Sequence, residues 1–224
     1  MPENGVLTHA DLKTPKAAAI AGIAFSLLLL VILWLLRTSI PADPLDPGAW
    51  LATDRGSIAV ALNLVPFAGV AFLWFIGVLR DRLGRLEDRF FASVFFGSAL
   101  LFLAMLFAAA AVIGAVILVA SISEPNELTS STTFRFARAV SYIVVNVYAI
   151  KMAAVFMIST STIVVRTGIA PRWIAFLGFV LAVILLVGSF FISWSIAVFP
   201  SWVLLISVYI LVDDLGGNPL GDGS

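Results

Sequence analysis

Lys151 is the residue on which any chemistry of this chain would turn. It interrupts an otherwise apolar stretch, 13 residues after Arg138 and 15 before Arg166. On a helix those intervals place it about 20 Å and about 22 Å from the two basic ends. A lysine at such a depth in a bilayer costs about 2.5–3.5 kcal/mol on insertion scales, so ionisable groups kept there usually serve a purpose. Ser159, Thr160, Ser161 and Thr162 follow it, and a desolvated lysine can act as base toward a serine. Ser159, the nearest, is nevertheless eight residues on, about 12 Å along the axis and out of hydrogen-bond reach. These hydroxyls are therefore read as bonding back to their own helix or across to a neighbour.

Partners for Lys151 follow from helix geometry. Tyr148 precedes it by three residues and shares its face. Pro66 lacks an amide hydrogen, which frees the carbonyl of Leu62, and Asn63 lies beside that carbonyl. Side chains lean toward the helix N-terminus, which carries Lys151 outward to the depth of Leu62 and Asn63. The expectation is a polar centre of Lys151, Tyr148, Asn63 and the Leu62 carbonyl between the second and fourth spans. An anionic group, a lipid phosphate or a small solute, would reach it past Arg135 and Arg138. The other reading is that the centre only holds helices together. A faint internal echo pairs the same two spans, because Arg55 precedes Asn63, and Arg138 precedes Asn146, by the same interval of eight residues.

Most familiar chemistries lack their residues. The chain has no cysteine, which removes disulfides, thiolate nucleophiles and cysteine-held clusters. The apolar spans contain no Asp, Glu or His, so histidine-ligated haem, paired-aspartate proteolysis, zinc sites and carboxylate proton relays have no ligands or carriers at depth. The single histidine, His9, lies in a polar tail and is read as solvated. Asp43 and Asp46 stand three apart, but calcium takes six to eight oxygens and this loop does not supply them. No metal and no cofactor is expected. With 13 basic and 13 acidic residues and no continuous basic patch, the chain has no footprint for nucleic acid.

The elements that must position these residues are membrane helices. At 62% hydrophobic and 12% charged, the chain departs far from the about 45–50% apolar and about 25% charged of soluble domains. Uncharged stretches near 20 residues cross a hydrocarbon core of about 30 Å. They predict an all-α polytopic bundle of about six spans, at 17–36, 57–79, 91–120, 136–165, 172–192 and 197–213. Residues 1–16 form a cytoplasmic tail, 17–213 one bundle, and 214–224 a flexible tail. The first run is longer than a secretory signal and lacks a cleavage pattern, so it is read as a retained span. From Trp173 to Val212 no residue is charged, and a single helix there would reach about 60 Å. A hairpin is placed at Ser193-Trp194-Ser195 and Phe199-Pro200-Ser201. Lys and Arg are retained on the cytoplasmic side. Both termini inside leaves eight basic residues at inner span ends against four outside.

Smaller signals complete the reading. The loop Arg80–Arg89 alternates signs at helical spacing and is read as a solvated helical turn, with anionic lipid headgroups as its other partner. Trp50, Trp173, Trp194 and Trp202 are placed as headgroup-level anchors. Small residues four apart, Ala18/Gly22/Ser26, Ser93/Gly97, Ala110/Gly114 and Gly178/Ala182, predict close helix approaches and a face for a membrane partner or a second copy. The Ala/Val/Leu/Phe-rich spans and the inner loop Val78-Leu79-Arg80-Asp81-Arg82-Leu83-Gly84 resemble uncharacterised multi-pass membrane proteins of high-GC bacteria. That resemblance implies a bacterial plasma membrane and no assigned activity. The function expected is that of a non-enzymatic accessory or scaffold component, with a small transporter or a lipid- or anion-binding protein built around Lys151 as the alternative.

Overall fold

The computed structural model describes residues 14–41, 43, 46–83, 89–122, 125–168, 170–188 and 195–216. Among them only helices, turns and bends occur. In chain order the helices are α1 (Thr14–Ser39), α2 (Trp50–Thr53), α3 (Arg55–Leu83), α4 (Arg89–Ala120), α5 (Pro125–Ser130) and α6 (Thr132–Ile143). A π-helical turn, Val144–Ala149, then leads into α7 (Ile150–Thr167), followed by α8 (Arg172–Gly188) and α9 (Ser195–Gly216). Five candidate spans are long and apolar enough to cross a membrane: α1, α3, α4, the continuous rod Thr132–Arg166 and α9. Helix α8 is equally apolar and 17 residues long, about 25 Å. Helical backbone is what such sequences must adopt in lipid, because every amide then finds its partner within the segment.

The ends follow local chemistry. Gly168 takes the left-handed conformation at φ +69° and returns its amide to the Val164 carbonyl at 3.0 Å, closing α7 before Pro171. Gly48, at φ +90°, makes the turn before α2, with its amide held by Asp46 Oδ1 at 2.9 Å. The expected break at Phe199-Pro200-Ser201 is absent, for α9 starts at Ser195 and carries Pro200 inside it. Pro200 falls early in the helix, where it forgoes one amide bond to the carbonyl four residues back and the following turns remain intact. Residues 1–13 with His9, 84–88, 189–194 and 217–224, on which the expected tails, the Arg80–Arg89 loop and the Ser193-Trp194-Ser195 hairpin wholly or partly fall, lie outside the described residues.

Helix α1 packs mainly on α3 and α9, while α7 packs on α8 and α4. Two small-residue faces make the closest approaches. A Cβ added at Gly22 would overlap Ser207 and lie 2.8 Å from Phe75; one at Gly178 would overlap Ser161 and lie 2.8 Å from Trp202. The other two faces are open: a Cβ at Gly97 meets nothing within 4 Å, and one at Gly114 meets only Leu62 at 3.9 Å. At the centre Phe72 touches Phe25 of α1, Phe102 of α4, Phe156 of α7 and Phe199 of α9, at ring-centroid distances of 4.4 to 5.8 Å. Two tryptophans placed at the headgroups are instead packing residues. Trp202 is buried beside Gly178 and Trp50 is buried against Phe134, because each finds an apolar slot between helices. Trp173 is exposed, and Trp194 lies outside the described residues.

These contacts predict unequal effects of enlarging glycines. Gly178→Val should destabilise the protein by about 1–3 kcal/mol through overpacking, read as a lowered detergent unfolding midpoint. Gly97→Ala should leave that midpoint unchanged or slightly raised. Equal responses at the two positions would contradict the packing described.

Candidate functional site

A cavity of about 150 Å³ lies where α1, α4, α6 and α9 converge. Leu33 and Arg37 of α1, Ile113 of α4 and Ile196 of α9 form part of its wall. Arg138, Ser141 and Tyr142 of α6 and Asn146 of the π turn form the rest of the polar lining. Each water in the liquid occupies about 30 Å³, so the space takes several waters or one compact polar headgroup.

Helix α6 explains why these side chains point inward. Phe134, Arg138 and Ser141 are its buried residues, spaced four and three apart as one helical face requires. Ser131 caps the helix by accepting the Phe134 amide at 3.1 Å. Arg138 is 5% exposed. One guanidinium nitrogen, Nη2, donates to the Asp43 carbonyl at 2.7 Å and the Pro41 carbonyl at 3.4 Å. The guanidinium also lies 5.1 Å from the centre of the Trp50 ring, a favourable cation–π placement. Asp46 and Asp43 are within its electrostatic reach. Among the described residues Arg138 Nε and Trp50 Nε1 are buried without a hydrogen-bond partner. Arg138 thus ties down the loop between α1 and α2 and still has an unused donor.

The other residues singled out in the sequence separate. Asn146 reaches the cavity but gives its amide to the Tyr142 carbonyl at 3.0 Å. Arg135, one turn before Arg138 on α6, is exposed. Asn63 is exposed on α3 and donates to the Ala59 carbonyl at 2.8 Å. Tyr148 is 54% exposed. Lys151 is partly exposed. Among the described residues no hydrogen bond joins Lys151 to Tyr148, Asn63 or the Leu62 carbonyl, so the polar centre expected between the second and fourth spans is not assembled. The physical reason is α4, which packs against both α3 and α7; α3 and α7 meet in the core through Phe72 and Phe156.

The serine and threonine cluster behaves as helix chemistry suggests. Ser159, Thr160 and Thr162 donate to the carbonyls of Val155, Phe156 and Ile158, each four residues back. Sequence reasoning missed Arg37, Tyr142 and Trp50 as neighbours of Arg138. The strong amphipathic period of 132–143 was the available signal for Arg138, whereas Arg37 read only as a topology marker.

No protein-family model, curated protein or solved structure matches this chain.

Arg138→Gln removes a charge-assisted hydrogen bond of the kind worth about 1.5–3 kcal/mol. It should speed hydrogen–deuterium exchange at residues 48–54 without changing exchange in α8. Unchanged protection of that loop would show that Arg138 does not hold it.

Proposed function

We propose that this chain is a non-enzymatic component of the plasma membrane, an accessory or scaffold protein that crosses six times with both termini in the cytoplasm. The observation that carries the reading is Lys151. Counted along its helix it falls near mid-membrane depth, and it lies on a partly exposed stripe of α7 with no hydrogen bond or ion pair among the described residues, where a charge has to be met by something outside the bundle. Three of the four hydroxyls after it, those of Ser159, Thr160 and Thr162, are spent on their own helix, which fits a binding role better than a reactive one. The excess of basic residues at inner span ends supports the orientation, and α8 supplies the sixth crossing. The look of the spans and inner loop fits a bacterial origin.

A second reading, binding of a lipid headgroup or small anion, is favoured by the cavity beside Arg37 and Arg138 and by the open Nε of Arg138. Native mass spectrometry of the protein extracted gently from its own membrane separates the two. A stoichiometric protein partner is the outcome expected. A lone chain that retains an anionic lipid, released in Arg138→Gln, would replace the accessory reading with the second one.

The absence of cysteine makes the topology simple to test with single thiols. Ala52→Cys, on the exposed side of α2, should react with a membrane-impermeant maleimide on intact cells, and Asp213→Cys, near the end of α9, only after permeabilisation. The reverse pattern would invert the protein in the membrane.

A further inference from the structure

The accessory reading leaves open what meets Lys151, and the chain itself narrows the answer. Lys151, Val155, Ile158 and Thr162 fall at helical intervals on one stripe of α7, each partly exposed, and Val165 continues it at 40% exposure. Tyr148, 54% exposed, stands one turn before Lys151. The remaining faces of α7 are covered by α4 and α8. Lys151 therefore looks out of the bundle from within a hydrocarbon-facing stripe, accompanied by one phenol.

An unpaired ammonium there is costly, and three sources of neutralisation present themselves. A lipid phosphate lies in the headgroup layer, which lysine reaches by snorkelling from near a helix end; Lys151 sits about 20 Å from either basic end of its rod. A second copy of this chain brings no carboxylate, since its spans contain no Asp or Glu. A helix of another protein with an acidic side chain at matching depth satisfies the charge directly, and a low-dielectric surround strengthens that pairing.

We propose, resting on the accessory reading, that the Tyr148–Lys151 face of α7 docks a transmembrane helix of a different protein, and that a carboxylate at mid-depth on that helix pairs with Lys151. Tyr148 offers the same carboxylate a second donor, one turn away.

The test uses the full-length protein, labelled for energy transfer, in phosphatidylcholine vesicles. The probes are three designed Leu/Ala-rich transmembrane peptides that differ only at the central residue, which is Asp, Asn or Leu. The Asp peptide should associate at least ten-fold more tightly than the Leu peptide. Lys151→Met should erase that preference, and Lys151→Arg should keep most of it. Circular dichroism and gel filtration establish that both variants are folded; should Lys151→Met fail there, the ranking of peptides on wild type and Lys151→Arg decides alone. Equal binding of the three peptides, or a preference that survives in Lys151→Met, overturns the proposal. So does modification of Lys151 in wild type by a membrane-impermeant amine reagent, because the lysine would then face water. A natural partner that stays bound to Lys151→Met in native mass spectrometry would leave the accessory reading standing and remove this one.

Discussion

Phe72 is the point at which the bundle is held. Between helices in lipid there is no hydrophobic driving force to speak of, because acyl chains are as apolar as leucine, so cohesion comes from close packing. One ring of α3 that touches rings of α1, α4, α7 and α9 joins five helices through a single buried contact set. Edge-on arrangements dominate it: Phe72 meets Phe102, Phe156 and Phe199 at interplanar angles of 71°, 61° and 85°, the geometry that aromatic quadrupoles favour. The glycines set how near the backbones can come around that knot. Gly22 admits Ser207 and Phe75, and Gly178 admits Ser161 and Trp202. Away from the knot the two glycines of α4, Gly97 and Gly114, face open space, and much of that helix faces outward.

The π turn at Val144–Ala149 divides the fourth crossing into two parts with different duties. Before it, α6 presents Arg138, Ser141 and Tyr142 to the cavity and ties the loop between α1 and α2 through Arg138. After it, α7 presents alanine and phenylalanine to the core, with Ala153, Ala154 and Phe156 all buried, and leaves Lys151 partly exposed. One extra residue in a helical turn rotates everything beyond it by about 100°. Asn146, inside that turn, lines the cavity, and Lys151 stands on the partly exposed stripe of α7. Such turns recur at functional positions in helices, and here one separates a loop-anchoring arginine from an outward-facing lysine.

The helical segments were legible because each is an uncharged stretch bounded by arginine, proline or glycine, and α1, α3, α4, α8 and α9 all run through the stretches so marked. Gly168 with Pro171 announced the end of α7, and Gly22 and Gly178 announced close approaches. The depth of Lys151 could be counted along the chain. Its direction could not, since an α-helical wheel drawn from Arg138 to Lys151 ignores the π turn, and nothing in the sequence marks that turn. Asn63 was misdirected for a related reason: pairing α3 with α7 by their charges takes no account of α4 packed against both. Trp50 looked like an interfacial anchor until Phe134 and Arg138, more than 80 residues later in the chain, supplied the slot that buries it.

The bond from Arg138 to the Asp43 carbonyl joins positions 95 residues apart. A ribosome adds about 5–20 residues each second, so the loop between α1 and α2 is made about 5–20 s before the arginine that fixes it exists. The two long helices α3 and α4 are made in that interval while Trp50 still has neither Phe134 nor the guanidinium to rest on. The cap of this protein is consequently a late event in its biosynthesis, completed only when the fourth crossing arrives.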